Sequence, residues 1–147
     1  MVLEDPSFES APGGAKHHHN YAGGLAEHTL EVALTAESMT QGAEQVQAIV
    51  GTIFHDVGKL REYILNPDGS ISVTPFCSRI GHVTWGFHVF TNAAEMRGFA
   101  PAWIEEIGHA LLAHHGRFEW HSPVEPQTRL ALVLHTADMV SMKGAAK

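Results

Sequence analysis

A histidine and an aspartate stand side by side in TIFHDVGKL, residues 52–60, a stretch whose other residues are apolar along one helical face. The spacing predicts that His55 and Asp56 lie on a buried segment, with Lys59 one turn further on. A buried imidazole or carboxylate costs free energy unless other groups pair with it. The fold must therefore bring partners to this pair. Two interpretations are open at this point: a capped helix end or solvated turn, and a metal site.

Apolar residues recur at three- and four-residue steps over five segments, which predicts an all-α domain of five or more helices. These segments cover about 24–39, 43–64, 79–96, 101–114 and 127–142. Pro67, Asp68 and Gly69 form a turn signal, and the SISVT stretch beside them predicts a short β-hairpin near 66–76.

The division of the chain follows from the same pattern. Residues 1–16 carry prolines and glycines without a periodic apolar pattern, which predicts a flexible lead-in, and residues 17–147 then form a single domain. The HHH stretch at 17–19 runs directly into NYAGGLAEH, and we interpret it as native sequence, with an affinity tag as the alternative.

Composition excludes several classes of protein. The 147 residues suit one domain with one core, and no apolar run reaches the roughly 18 residues that span a bilayer, so no membrane partner is expected. A single cysteine, Cys77, excludes an internal disulfide and, with no secretory signal, predicts a cytoplasmic protein. The net charge of −7 argues against a surface that grips nucleic acid everywhere, but it leaves a local cationic site open.

The twelve histidines outnumber the nine lysines and arginines, and several of them fall on the predicted helices together with aspartates. The candidate ligands are His28, His55, Asp56, His82, His114, His115 and Asp138. Helical bundles build metal sites from inward-facing side chains on facing helices. Imidazole and carboxylate suit manganese, iron, nickel or zinc. The set predicts two divalent cations if one carboxylate bridges them, and Asp56 is the natural bridge because adjacent His55 can serve one ion.

The order of these residues resembles the HD-domain superfamily, whose pattern H…HD…D reads here as His28, His55–Asp56 and Asp138 over about residues 16–143. The longer motifs are similar to the catalytic domain of YhaM-type 3′→5′ exoribonucleases: HHNYAGGLAEH, HDVGKL, IGHV, AHHGRFEW followed by SP, and LVLHTADMVSMK. The resemblance implies an HD-domain helical bundle and a metal-dependent phosphodiesterase. Its substrate would be a nucleotide or the 3′ end of a single-stranded nucleic acid.

The resemblance also implies roles for individual residues. His28, His55, Asp56 and Asp138 would hold one ion, and Asp56, His82, His114 and His115 would hold the other. Asp56 and Lys59 are the candidate catalytic residues, with Lys59 neutralising a phosphate oxygen. The candidate substrate-binding residues are His18, His19, Lys59, Arg117 and Trp120, the last by stacking on a base. A metal ion lowers the pKa of bound water to about 7, and the resulting hydroxide would attack phosphorus.

Other functions remain open. Some HD proteins are mixed-valent di-iron oxygenases of small phosphonates or polyols, and the HHH…GGL…H opening also resembles the HD region of conjugative relaxases. A non-catalytic module predicts lost ligands, yet all seven are present. The similar exoribonucleases carry an OB-type module ahead of the catalytic domain, which these residues do not provide, so short oligonucleotides, cyclic nucleotides and mononucleotides are also expected substrates. Trp103 and Phe99, expected at the surface, favour a homo-oligomer.

Overall fold

The computed structural model describes residues 5–144, most of which are α-helical, so the prediction of an all-α domain is confirmed. In chain order the elements are α1 (Pro6–Ser10), α2 (Gly24–Met39), α3 (Gly42–Phe54), α4 (Lys59–Glu62), β1 (Tyr63–Leu65), β2 (Ile71–Val73), α5 (Pro75–Arg79), α6 (His82–Met96), α7 (Pro101–Ala113) and α8 (Arg129–Gly144). A short 3₁₀ turn, Phe118–Trp120, lies in the loop between α7 and α8.

The helix predicted over 43–64 is not continuous. Helix α3 ends at Phe54, residues 55–58 form a turn, and α4 is followed at once by β1. The turn is closed by i→i−3 bonds, such as the one from Lys59 N to Asp56 O at 2.9 Å. Helical spacing of apolar residues persists through such a tight turn, so periodicity alone does not reveal the break.

Strands β1 and β2 form an antiparallel hairpin with Tyr63 opposite Val73 and Leu65 opposite Ile71. The predicted hairpin near 66–76 is therefore present, but it begins at Tyr63, within the segment expected to be helical. Its turn follows the sequence signal: the Asp68 carboxylate accepts from Ser70 N at 2.9 Å, and Gly69 takes the positive φ of +82° that glycine adopts without strain.

The hydrophobic core lies between α2, α3, α6, α7 and α8. Its fully buried large apolar side chains include Leu25, Phe90, Ile107, Leu111 and Leu134. Burying a side chain of this size contributes about 1.5–3 kcal/mol. The Phe54 ring packs edge-on against Phe90, with 5.6 Å between ring centroids, and this contact fixes the end of α3 immediately before His55.

The segment expected to be a flexible lead-in contains helix α1 within its described part, residues 5–16. The Asp5 carboxylate caps α1 by accepting from Ser7 N at 2.9 Å, and the Phe8 side chain is buried. Leu25 N, in the first turn of α2, donates to Ala11 O at 3.1 Å. Residues 5–16 therefore pack onto the start of α2. Residues 1–4 and 145–147 lie outside the described part of the chain.

The aromatic residues expected at the surface are partly buried. Phe99 and Trp103 pack against the core cluster and against each other, with ring centroids 6.3 Å apart. The sequence predicts these two residues at the surface, where they would favour a homo-oligomer. Because they are partly buried, they give no support to self-association. Within residues 5–144, no helix combines the length and the apolar character that a bilayer crossing requires.

Two glycines allow α6 to approach the turn that carries the His–Asp pair. A Cβ atom at Gly86 would lie 2.5 Å from Phe54 O and 3.2 Å from His55 O. A Cβ atom at Gly58 would lie 2.4 Å from the Cα of His82. Since neither position has room for a side chain, the absence of Cβ atoms is what brings His82 beside the pair.

Gly86→Ala tests this close packing. The added methyl group meets backbone atoms, so we expect the free energy of unfolding to fall by about 1–3 kcal/mol. Gly144→Ala is the matched control, since a Cβ there meets nothing within 4 Å and alanine favours helix. Urea denaturation measures both variants. Equal stabilities would show that the α6 contact is looser than described.

Candidate metal centre

All seven predicted ligands meet in one centre among five elements. His28 lies on α2, His55 and Asp56 in the turn after α3, His82 at the first residue of α6, His114 and His115 after α7, and Asp138 on α8. Most of them are buried, and His82 and His115 are partly exposed. The centre is thus closed towards the core and open on the side of α6 and the α7–α8 loop.

The two carboxylate oxygens of Asp56 face different imidazoles. Oδ2 lies 3.2 Å from His28 Nε2 and 3.4 Å from His55 Nε2. Oδ1 lies 3.5 Å from His82 Nε2 and 3.9 Å from His114 Nε2. Asp56 therefore stands between two groups of nitrogen atoms, with one oxygen directed at each group.

These groups are compact enough to hold ions. Candidate ligand atoms of His28, His55 and Asp56 all lie within 4.8 Å of one another, and so do those of His82, His114 and His115. Asp138 belongs with the first group, because its Oδ1 is 3.1 Å from His28 Nε2. The arrangement gives four candidate ligands on each side when Asp56 is counted in both groups.

Every imidazole of the centre is held through its Nδ1 atom, at 2.6–3.0 Å from the partner. The partners are Ser141 Oγ for His28, Thr52 O for His55, the Glu62 carboxylate for His82, Leu111 O for His114 and Trp120 O for His115. Carbonyl and carboxylate oxygens only accept, so Nδ1 carries the hydrogen in those rings. The Nε2 lone pairs then point into the centre, which is the tautomer that a metal requires.

The surroundings of His114 and His115 disfavour protonation of their rings, so the Nε2 lone pairs stay unprotonated. Burial, with His115 beside it, holds the pKa of His114 well below its usual range. Burial and the neighbouring His82 lower the pKa of His115 to about 4. For His28, burial opposes the charge, but hydrogen bonds to Asp138 and Asp56 outweigh it and raise the pKa to about 9.

The carboxylates stay ionised despite their burial. Burial alone would raise the pKa of Asp56, but the Lys59 ammonium, together with the adjacent His55, holds it well below its usual range. The pKa of Asp138 is likewise lowered, because its hydrogen bond with His28 outweighs burial. Anionic oxygens and neutral Nε2 atoms are the protonation states in which these side chains coordinate a cation.

Lys59 points into the centre rather than into solvent. Its Nζ atom lies 2.5 Å from Asp56 Oδ2, and 16% of its side chain is exposed. Burial opposes the ammonium charge, but the Asp56 carboxylate outweighs it and raises the pKa of Lys59. The ammonium of Lys59 is therefore held beside Asp56 and does not extend into solvent as that of a surface lysine does.

The unsatisfied atoms of the centre fit a divalent metal. His114 Nε2 is buried and has no hydrogen-bond partner among the described residues. His28 Nε2 faces His55 Nε2 at 3.2 Å, and His82 Nε2 faces His115 Nε2 at 3.0 Å. Because His82 and His115 both donate through Nδ1, their facing Nε2 lone pairs repel, and an orphaned buried acceptor such as His114 Nε2 costs about 1–3 kcal/mol. A cation bound on each side of Asp56 would satisfy these nitrogens, and the donor set of imidazole and carboxylate suits first-row divalent metals.

Glu62 is a residue of the centre that the sequence did not single out. Its carboxylate is 2% exposed and accepts from both the backbone N, at 2.5 Å, and the Nδ1 of His82, at 3.0 Å. It therefore anchors the start of α6 and orients a ligand ring. In the continuous helix predicted through residue 64, Glu62 lies off the apolar face. Its burial results from the hairpin and α6, which the pattern of that helix does not reveal.

Apart from Lys59, the predicted substrate-binding residues lie in two places. The Arg117 guanidinium stacks on the Trp120 ring, 4.9 Å from its centroid, and Trp120 is 42% exposed. On the N-terminal side, the His19 ring lies 5.1 Å from the His28 ring, whereas partly buried His18 lies 6.4 Å from the ring of His17. His19 and the Trp120 loop thus border the centre directly.

His135 supports the loop that carries His114 and His115. The Nδ1–H of His135 donates to His114 O at 2.8 Å, and its ring lies 6.1 Å from Trp120. Gly116 allows this contact, because its φ is +84° and a Cβ there would lie 2.3 Å from the His135 ring. One turn of α8 thus separates His135 from Asp138, and the two residues hold different parts of the centre.

The fold and this centre place the chain in a known family. The profile of the HD domain matches residues 25–143, and the chain belongs to that family. All seven candidate ligands lie within the matched range. The small hairpin and the helices around it form part of the same matched stretch.

Among curated proteins, relatives named 3′-5′ exoribonuclease YhaM match nearly the whole chain. The protein of Bacillus pumilus is 32% identical over 139 residues, which is 92% of this chain and 44% of its own length. That of Geobacillus sp. is 32% identical over 142 residues, covering 95% and 43%. That of Bacillus subtilis is 29% identical, covering 95% and 45%. No solved structure gives a significant match to this chain.

The chain thus spans less than half the length of the curated relatives it matches. Membership of the HD family supports a metal-dependent phosphohydrolase as the class of this domain.

Glu62→Ala tests whether the buried carboxylate orients His82. Without an acceptor for its Nδ1–H, the ring is free to turn, and we expect the affinity for Mn²⁺ to fall about 10–100-fold at the one site that His82 would line. Isothermal titration calorimetry measures the affinity of each bound equivalent. Glu37→Ala, at an exposed glutamate of α2, is the control. Indistinguishable titrations of the two variants would remove this role from Glu62.

Proposed function

We propose that this chain is a metal-dependent phosphodiesterase that cleaves nucleotides or the 3′ end of a single-stranded nucleic acid, with a YhaM-like 3′→5′ exoribonuclease activity. The observation that carries the proposal is the position of Asp56, whose two oxygens face two separate groups of imidazole nitrogens. The names of the relatives support the nucleic-acid substrate.

Asp56 would be shared by two divalent cations drawn from manganese, iron, nickel and zinc. His28, His55 and Asp138 would complete one set of ligands, and His82, His114 and His115 the other. When bound, such cations activate water for attack and neutralise phosphate charge. The residues of the chain fix the positions of the ligands through the Nδ1 contacts, so the centre needs little rearrangement on binding.

Lys59 adds a positive charge at the position where a phosphate would arrive. Its ammonium is paired with Asp56 Oδ2, beside the centre rather than at the outer surface. A fixed cation there stabilises the negative charge that develops on the equatorial oxygens of phosphorus during displacement, which is usually the largest contribution to such catalysis. Asp56 and Lys59 are therefore the proposed catalytic residues.

The proposed substrate contacts follow from the borders of the centre. Trp120, exposed and held through its carbonyl oxygen by His115, offers a face on which a base can stack. Arg117 on that ring supplies a guanidinium for a phosphate oxygen. His18 and His19 are proposed to contact substrate on the N-terminal side. Because the net charge is −7, binding would depend on these local groups.

The proposal is tested by hydrolysis assays on the purified chain. We expect Mn²⁺-dependent cleavage of bis(p-nitrophenyl) phosphate and progressive shortening of a 5′-labelled single-stranded RNA from its 3′ end. Asp56→Ala removes the shared ligand, so we expect both activities to fall by at least about 10³-fold, together with loss of bound metal.

His88→Ala is the matched control, since His88 is an exposed histidine of α6 whose side chain hydrogen-bonds to Asn92. It should keep both activities. Undiminished cleavage by Asp56→Ala would contradict the mechanism. A wild-type chain that binds iron, shows a mixed-valent paramagnetic signal and cleaves no phosphate ester would instead favour the di-iron oxygenase.

A further inference from the structure

A third group of metal-ligating side chains lies beside the centre without belonging to it. Ligand atoms of His19, Glu27 and Glu31 all lie within 4.8 Å of one another. Glu27 and Glu31 are four residues apart on α2 and so occupy the same helical face. Two like charges at this spacing destabilise a helix unless something neutralises them.

The histidine of this group has an unsatisfied nitrogen. His19 is 3% exposed, and its Nε2 atom has no hydrogen-bond partner among the residues that the structure describes. Glu31 Oε2 lies 3.2 Å away, but not along a hydrogen-bond direction. A buried ring nitrogen without an aligned partner therefore lies beside the carboxylate oxygens of two glutamates, a donor set that suits a cation.

The backbone holds His19 in an unfavourable conformation. Its φ is +54°, which is uncommon for a residue other than glycine. The carbonyl oxygen of His19 accepts from Gly13 N at 2.8 Å and lies where a Cβ of Gly24 would meet it at 2.0 Å. Two glycines thus fix a strained residue in place, and strain of this kind is concentrated at functional sites.

The carboxylates are also positioned. The hydroxyl of Tyr21 donates to Glu27 Oε2 at 2.8 Å, and that of Ser141 donates to Glu31 Oε2 at 2.5 Å. Because Ser141 gives its hydrogen to Glu31, its oxygen accepts from His28 Nδ1 at 2.9 Å. The group is therefore connected to a proposed ligand of the inner centre through a single hydroxyl.

We propose that His19, Glu27 and Glu31 form a third, outer site for a divalent cation. One imidazole and two carboxylates suit manganese or a similar ion. Glu27 is exposed and Glu31 partly so, which leaves coordination positions for water or for a phosphate oxygen. The role of this ion rests on the proposed function. In that function, the ion anchors the phosphate that neighbours the cleaved phosphate in the nucleic-acid substrate.

The test counts bound Mn²⁺ by the electron paramagnetic resonance signal of the free ion during titration of the metal-free protein. The wild type should bind three equivalents, and Glu27→Gln should bind two, with the Kd of the third raised at least about 10-fold. Glu37→Gln makes the same charge change at an exposed site on α2 and should bind three. A wild type with two equivalents, or a Glu27→Gln variant with three of unchanged affinity, would overturn the outer site.

A second variant separates this proposal from the proposed function. His114→Ala removes an inner ligand and leaves His19, Glu27 and Glu31 in place. It should therefore bind fewer ions than the wild type but still bind the ion of the outer site. If His114→Ala reduces the count and Glu27→Gln does not, the outer site is wrong and the inner centre stands. If only Glu27→Gln reduces the count, the outer site stands and the inner centre fails.

Discussion

The structure depends on one buried carboxylate. Asp56 is almost fully enclosed, yet its pKa lies well below the usual range, because Lys59, His55 and other imidazoles surround it. Burying such a charge is costly unless it is paired. Several elements of the fold converge on it to supply partners, and α6 approaches at two glycines to do so. The fold is thus arranged around the buried Asp56 carboxylate, whose negative charge must be paired with positive charge.

The surroundings of the ligand rings determine their chemistry. Backbone carbonyl groups at the ends of α3 and α7 accept from His55 and His114, which sets the tautomer of each ring before any ion binds. On α6 the Glu62 carboxylate accepts from His82 and sets its tautomer in the same way. The ligands are therefore preorganised by main-chain and buried side-chain contacts, and this limits the entropy lost on binding a cation.

Much of the fold and of the centre could be predicted from the sequence, because both rest on local signals. Helical spacing identified most of the long helices, and the ordered His and Asp residues identified the seven candidate ligands that the structure brings together. The end of α3 and the role of Glu62 depend on tertiary packing against α6, which leaves no local signal. Glu27 and Glu31 look like a solvated helix face until His19 is placed beside them in space.

The claim that Asp56 joins two cations is tested most directly by anomalous diffraction from crystals of the Mn²⁺-loaded protein. We expect two peaks about 3.5–4 Å apart. One peak should lie beside His28 and His55, the other beside His82 and His114, with an Asp56 oxygen on each. A single peak in this centre, or two peaks with Asp56 bound to one of them alone, would contradict the claim.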